Sequence, residues 1–285
     1  MRQILLLTDF SENSFQAILY AMIFFENEKV NFHILHIKDS RGLMMDDLMT
    51  STSGENMQSA LLGNSKKNLA DLLERVNKLN KNVIHEFKTV CLFDTFFDSI
   101  TEYCKKEQIE MLIMGTTGAT GAKQVFLGST AAKIINKIDI PILAIPEGSV
   151  FIPIEKLLFS VDYKVNYLPV TLHPLIKVLN TFMPSVYTVY ADENVKDLTE
   201  KQLLNKFELH KILGKFNVST HKVTSIPLDQ TLSCLLEFLQ IDLLVMIKKE
   251  KSFLQKIINS SHIRKVSYHL KTPLFILPEQ AILMD

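Results

Sequence analysis

The segment Met111–Pro146 reads MLIMGTTGATGAKQVFLGSTAAKIINKIDIPILAIP. It opens with a short apolar run, Met111–Met114, which is typical of a buried strand. A loop with several glycines follows, then a segment of helical character, Ala131–Lys137, and then a second apolar run, Ile140–Ile145. This order of strand, glycine loop, helix and strand indicates phosphate binding. Glycines let backbone N–H groups approach an anion, and the start of a helix offers unpaired N–H groups.

The glycines of this loop have the spacing G-x2-G-x9-G-S, formed by Gly115, Gly118, Gly128 and Ser129. The loop is not a Walker A loop, because no Gly-Lys-Ser/Thr closes it, and it contains no G-x-G-x-x-G dinucleotide motif. On loop chemistry alone, a purely structural turn stays equally open. Ser129 and Thr130 add hydroxyl donors, and we expect them to cap the helix that follows.

Composition and charge exclude several classes of protein. The chain has 285 residues, 47% of them hydrophobic and 22% charged, with 31 basic and 31 acidic residues. This balance predicts a globular protein that binds neither nucleic acid nor a membrane. No apolar run reaches the roughly 20 residues that span a bilayer. The three cysteines are scattered and have no metal-ligand spacing, which favours free thiols, no metal site and a cytoplasmic location.

Strands and helices alternate along the first half of the chain. The pattern predicts strands at Arg2–Asp9, Val30–Ile37 and Asn82–Val90 before the glycine loop, and a helix at Leu92–Lys106 whose aromatic stripe we expect in the core. Such alternation implies a parallel sheet with helices on both faces. Ligands of these sheets bind beyond the carboxyl ends of the strands, where Asp9, Ile37 and Gly115 lie.

The second half repeats the first. Lys156–Asp162 lines up with the first strand and places Asp162 on Asp9. Gly115 and Pro141 are 26 positions apart, and so are Ile247 and Pro273. Equal spacing of this kind indicates an internal repeat, so we predict two domains, at residues 1–148 and 154–280, joined by a short link.

The two copies differ at the loop. In the second copy Ile247 replaces Gly115, Glu250 replaces Gly118, and Ser260 replaces Gly128, whereas Ser129 is kept as Ser261. Without glycines the backbone cannot approach a phosphate closely, and a glutamate opposes it by charge. The sequence therefore predicts that only the first domain binds a nucleotide, and that the second is a degenerate copy.

The glycine spacing, together with Ile4–Ser14 (ILLLTDFSENS), resembles the universal stress protein family. The resemblance covers both halves, but the nucleotide motif lies in the first half only. It implies an α/β fold of two doubly wound domains, each with a five-stranded parallel sheet of order 3-2-1-4-5 between helices. It also implies that the domains pair through their last strands, as an intrachain pseudo-dimer.

The resemblance also implies an ATP site. Asp9 would contact the ribose or adenine, the backbone of Ile37 would meet adenine, and the glycine loop would hold the phosphates. The implied nucleotide-binding residues are Thr8, Asp9, Ile37, Met114, Gly115, Gly118, Gly128, Ser129 and Thr130. A turn-forming role for Asp9 stays open, and Asp162 favours it, because the second copy keeps the aspartate without the loop.

The resemblance implies the function of an ATP-binding stress-response regulator. It implies binding of ATP either alone or together with Mg²⁺. An unknown protein partner and further homodimerisation are compatible with this function. Two alternatives remain: a scaffold or sensor of another small ligand that binds no nucleotide, and a slow ATPase. The sequence places no catalytic base, so we name no catalytic residues.

Overall fold

The computed structural model describes residues 1–39, 54–117, 127–192, 197–248 and 272–279. Among the residues discussed above, Gly118, Glu250, Ser260 and Ser261 lie outside these ranges. No helix within the described ranges is both long and apolar enough to cross a membrane.

Strands and helices alternate in both halves. The strands of the first half are β1 (Arg2–Leu7), β2 (Val30–Asp39), β3 (His85–Asp94), β4 (Met111–Gly115) and β5 (Ile142–Ile145), and its helices are α1 (Glu12–Phe24), α2 (Gly54–Leu79), α3 (Phe96–Lys106) and α4 (Ser129–Lys137). The second half contains β6 (Lys156–Ser160), β7 (Ser185–Asp192), β8 (Val218–Thr224), β9 (Leu243–Lys248) and β10 (Leu274–Pro278), with α5 (Pro169–Phe182), α6 (Glu200–Leu213) and α7 (Leu228–Phe238).

All these strands form one sheet of ten, in the order β3-β2-β1-β4-β5-β10-β9-β6-β7-β8. Within each half the strands are parallel and have the order 3-2-1-4-5. The halves meet where β5 and β10 run antiparallel, with Leu143 opposite Phe275. The predicted fold, including its pairing through the last strands, is confirmed.

Strand register supports the alignment of the two copies. Ile4 lies opposite Met111 in the first half, and Leu157 lies opposite Leu243 in the second. The offsets between copies are therefore 153 residues at the first strand (157 − 4) and 132 at the fourth (243 − 111). The second offset places Ile247 at the position of Gly115.

The two halves also share an aromatic cluster outside the sheet. Phe151, from the link between the halves, packs edge-on against Tyr20 of α1 at 5.0 Å between ring centroids. Phe24 of α1 and Phe182 of α5 approach to 5.3 Å. These contacts attach Phe151 of the link to α1 and hold α1 against α5, because aromatic pairs stabilise beyond their buried area.

The boundaries around the third strand differ from those predicted. The strand begins at His85, and Val83 before it is 96% exposed. It continues to Asp94, so the prediction of a helix from Leu92 is wrong. Helix α3 begins at Phe96, after Thr95, whose hydroxyl donates to Asp98 at 2.8 Å. A short apolar run is compatible with strand or helix, and only pairing with β2 decided for strand.

Candidate functional site

The turn after β1 is fixed by side-chain hydrogen bonds. Ser11 caps α1, since its hydroxyl accepts from the N–H of Ser14 at 3.2 Å. The hydroxyls of Thr8 and Ser14 are bonded at 2.9 Å. Between them, Phe10 has a φ of 65°, a left-handed conformation that is uncommon for a phenylalanine. This turn directs Thr8 and Asp9 to the carboxyl edge of the sheet.

Asp9 has a structural role in that turn. Its Oδ1 accepts from the N–H of Ser11 at 3.0 Å. In the second half, Asp162 accepts from the N–H of Lys164 at 2.8 Å in the same way. This shared bond supports the turn-forming role left open above, and Asp9 is in addition exposed at the carboxyl edge.

The two described glycines of the motif are required by close internal packing. A Cβ on Gly115 would lie 2.7 Å from Cγ of Asn13 and 3.2 Å from its backbone carbonyl carbon. A Cβ on Gly128 would lie 3.0 Å from the backbone oxygen of Thr116, to which the N–H of Gly128 donates at 2.7 Å. The glycines thus let α1 and the start of α4 approach β4 and its following turn.

Ser129 and Thr130 open helix α4, but they do not cap it. The N-cap residue is Gly128, and no side-chain hydrogen bond caps the helix within the described part of the chain. The prediction of a hydroxyl cap is therefore wrong. Both hydroxyls are exposed at the edge of the sheet, beside first-turn N–H groups that have no acceptor within the helix.

These parts surround one cleft of about 230 Å³ at the carboxyl ends of β1, β2 and β4. Every predicted site residue that the structure describes lines it. These residues are Thr8, Asp9, Ile37, Met114, Gly115, Gly128, Ser129 and Thr130. Thr8, Ile37 and Met114 are buried and form the inner wall together with Leu35 and Ile134, whereas Asp9, Ser129 and Thr130 form an exposed polar rim.

Two further lining residues, His36 and Phe96, were missed by sequence reasoning. Phe96 packs against the hydrophobic core, as expected for the aromatic stripe of its helix, and in addition it lines the cleft. Phe96 lies at the first position of α3, directly beyond the end of β3, so it reaches the edge of the sheet. The presence of His36 next to Ile37 was the available signal, because both lie near the carboxyl end of β2.

His36 is held in one tautomer. Its Nδ1 donates to the carbonyl oxygen of Thr8 at 2.9 Å, since a carbonyl can only accept. Its ring packs on Phe10 at 4.4 Å between centroids. Burial lowers the pKa of His36, against smaller opposing effects of the Thr8 bond and the charge of Asp9. His36 is therefore neutral at pH 7, and its Nε2 is an acceptor.

The charges of the cleft are few. Among the described lining residues, Asp9 is the charged side chain and His36 the other titratable one. The described ranges contain no group of three His, Cys, Asp or Glu residues that could hold a metal ion. Anion binding here would rest on N–H and hydroxyl donors at the start of α4.

The corresponding position in the second half is built differently. Ile247, in place of Gly115, is 7% exposed and belongs to the core. Glu12, the first residue of α1, corresponds to Val165 in the second half (12 + 153). Helix α5 begins four residues later, at Pro169. Val165 and Tyr167 are buried in the same core cluster as Ile247. The second half thus has Ile247 in place of the glycine, a helix α5 that starts later than α1, and buried side chains packed at this place in the core.

The chain is similar to several universal stress proteins. Universal stress protein MJ0577 from Methanocaldococcus jannaschii is 24% identical over 152 residues, which are 50% of this chain and 94% of that protein. The crystal structure of a universal stress protein from Archaeoglobus fulgidus covers 96% of this chain and 95% of its own, at 15% identity and a TM-score of 0.70. Another solved structure is a universal stress protein in complex with cAMP, 18% identical, covering 50% of this chain and 96% of its own, with a TM-score of 0.32.

The sequence profile of the Universal stress protein family matches residues 1–146, slightly more than half of the chain. This match includes β1 to β5 and all residues of the cleft. On this profile match, and with two copies of the fold joined through β5 and β10, the chain belongs to the universal stress protein family.

Proposed function

We propose that the first domain, residues 1–148, binds ATP in this cleft and acts as a nucleotide-sensing regulatory module. One observation carries the proposal: the described residues of the glycine motif and the ends of β1 and β2 line a single cleft. The cleft has an apolar inner wall and a polar rim at a helix N-terminus, as a ligand with an aromatic base and phosphates requires.

The inner wall suits the base and the sugar. Ile37 and Met114 offer apolar surface to adenine, and Phe96 adds an aromatic ring at the mouth. The neutral Nε2 of His36 is an acceptor suited to an amino group. The exposed carboxylate of Asp9 would accept hydrogen bonds from ribose hydroxyls, with its turn bond to Ser11 holding it in place.

The rim suits the phosphates. The first turn of α4 presents N–H groups and the positive end of the helix dipole, and the hydroxyls of Ser129 and Thr130 add two donors. We propose that Gly118 completes this cradle. Since the described lining residues contain no cation, Mg²⁺ would enter as the counter-ion of the phosphates.

The second domain, residues 154–280, is proposed to bind no ATP in this manner. Ile247 removes the close approach that Gly115 permits, and Val165 and Tyr167 are buried in the same core cluster. A change of the nucleotide bound to the first domain would then alter how the chain binds a protein partner. The second domain would stay packed against the first without binding ATP itself.

Calorimetric titration of ATP, with and without Mg²⁺, tests the proposal. We expect one site per chain. Ser129→Glu places a carboxylate where the phosphates would bind, and we expect it to weaken binding by about tenfold or more. The substitution does not threaten folding, because a negative side chain is favourable at a helix N-terminus.

Asn136→Glu is the matched control, since it adds the same charge to the exposed end of the same helix, away from the cleft. Equal binding by wild type and control, with loss in Ser129→Glu, supports the site. If the wild type binds no ATP, the scaffold alternative replaces the proposal. ADP release during the titration would instead favour the slow ATPase.

A further inference from the structure

The second half repeats a ring pair from the edge of the first cleft, where His36 lines the cleft and Phe10 packs on His36. Strand register places Tyr190 of β7 at the position of His36 (190 − 154), and Tyr163 corresponds to Phe10 (163 − 153). The Tyr163 and Tyr190 rings are 5.4 Å apart at 34°, and the Phe10 and His36 rings are 4.4 Å apart at 36°. Tyr163 also keeps a positive φ, 54°. The second half thus retains this corner of the site while its glycine loop is lost.

Beside this ring pair, the described helices cover less of the sheet than in the first half. Helix α2 has 26 residues, whereas its counterpart α6 has 14, which is shorter by about 18 Å at 1.5 Å per residue. Strand register places Lys222 of β8 at the position of Cys91 of β3. Lys222 lies four residues after Val218, the partner of Val186, and Cys91 lies four residues after Phe87, the partner of Phe32. Cys91 is half-buried, whereas Lys222 is exposed.

This less covered surface forms a second cleft, of about 360 Å³, between α6 and strands β7 and β8. Its described lining combines two tyrosines with apolar and charged side chains. The lining residues that matter here are Tyr163, Tyr190, Leu198, Leu203, Lys206, Lys222 and Asp197. The two lysines outnumber the single aspartate, and neither lysine is in an ion pair with a described residue.

Tyr163 provides an independent indication of a ligand. Its side chain is 1% exposed, and its hydroxyl has no hydrogen-bond partner among the described residues. Burial raises the pKa of Tyr163 to about 12, so the hydroxyl keeps its proton and is a donor. A buried donor without an acceptor costs stability. The hydroxyl has almost no accessible surface in the free protein, so an acceptor oxygen of a ligand would reach it, and remove that cost, only after neighbouring side chains shift.

We propose that this cleft binds a small organic anion, such as a phosphate monoester or a carboxylate. Lys206 and Lys222 hold the anionic group, and Tyr163 donates to one of its oxygens. Leu203 and the ring of Tyr190 contact the apolar part of the ligand. The cleft lies in the second domain and shares no residue with the proposed ATP site, so the two proposals stand or fall separately.

The test is a residue-resolved NMR titration of the full chain with phenyl phosphate, benzoate, inorganic phosphate and, as the neutral control, benzyl alcohol. We expect saturable shifts at the amides of Lys206 and Lys222 with the aromatic anions and none with benzyl alcohol. The stronger of phenyl phosphate and benzoate identifies the anionic group. Absence of saturable shifts with every anion overturns the proposal.

Two variants separate the site from general charge attraction. Lys206→Gln with Lys222→Gln should weaken binding by about tenfold or more. The matched control, Lys201→Gln with Lys211→Gln, removes the same charge from exposed positions of α6 outside the cleft and should bind as the wild type does. Equal losses in both double variants would overturn the site.

Tyr163→Phe removes only the buried hydroxyl. In the free protein we expect a midpoint of unfolding equal to or above that of the wild type, because the lost group has no described partner. Affinity for the aromatic anion should fall severalfold. A variant that binds as tightly as the wild type would contradict the proposed contact.

Discussion

Asn13 and Gly115 bring helix α1 into close contact with strand β4. The side-chain oxygen of Asn13 accepts from the N–H of Thr117 at 3.0 Å, and its amide donates to the carbonyl of Ile145 at 3.3 Å. No side chain fits at position 115 while Asn13 keeps these bonds. A glycine that the sequence motif assigns to phosphate binding is therefore also required by the fold.

Gly115→Ala should destabilise the protein by about 1–3 kcal/mol, because the new Cβ displaces the hydrogen-bonded Asn13. The free energy of unfolding from urea titrations measures this. Gly63→Ala is the matched control: it lies in α2 with no atom within 4 Å of the added Cβ, and it should stabilise by about 0.5–1 kcal/mol. Equal effects at the two glycines would contradict the role of Asn13.

Phe96→Ala should weaken ATP binding by about two- to tenfold, as expected for the loss of an aromatic contact. Phe97→Ala is the control, since Phe97 is the next residue of α3, does not line the cleft, and packs under Lys137 at 4.4 Å. Dissociation constants from calorimetry provide the comparison. A larger effect at Phe97 than at Phe96 would place the nucleotide elsewhere.

His36 should make the protein less stable in mild acid. Because burial lowers its pKa in the folded state, the unfolded chain takes up a proton first, near pH 6.5. The contribution of neutral His36 is complete above pH 6.5 and is lost as the pH falls from there towards the lowered pKa. Urea midpoints between pH 7.5 and 5.5 should fall more steeply for the wild type than for His36→Phe. Parallel curves would show that His36 does not titrate in this way.

Phe275→Ala should cost about 3–5 kcal/mol, because this side chain of β10 is 1% exposed at the junction of the halves. Its core cluster contains residues of both halves, so the variant should still unfold in one transition. Circular dichroism and tyrosine fluorescence in urea should give coincident curves. Phe238→Ala, at an 81% exposed position, is the control and should change little.

Much of this architecture was accessible from local patterns. Apolar runs indicated the strands. Equal spacing of Gly115–Pro141 and Ile247–Pro273 indicated the repeat, because the interval from the end of the fourth strand to the proline before the fifth is the same in both copies. The boundary at Leu92 was wrong because a short apolar run does not distinguish a strand that continues from a helix that begins. The hydroxyl cap at Ser129 was wrong because Gly128 takes the N-cap position.

By itself the sequence determined the fold class, the repeat and the residues at the strand ends, since periodicity and motif spacing are properties of the chain. Only the tertiary structure decided which distant side chains meet. It placed Asn13 against Gly115, Phe96 and His36 in the first cleft, and Tyr163 with Lys222 in the second. These contacts depend on helix lengths and on the approach of one element to another, which no local pattern encodes.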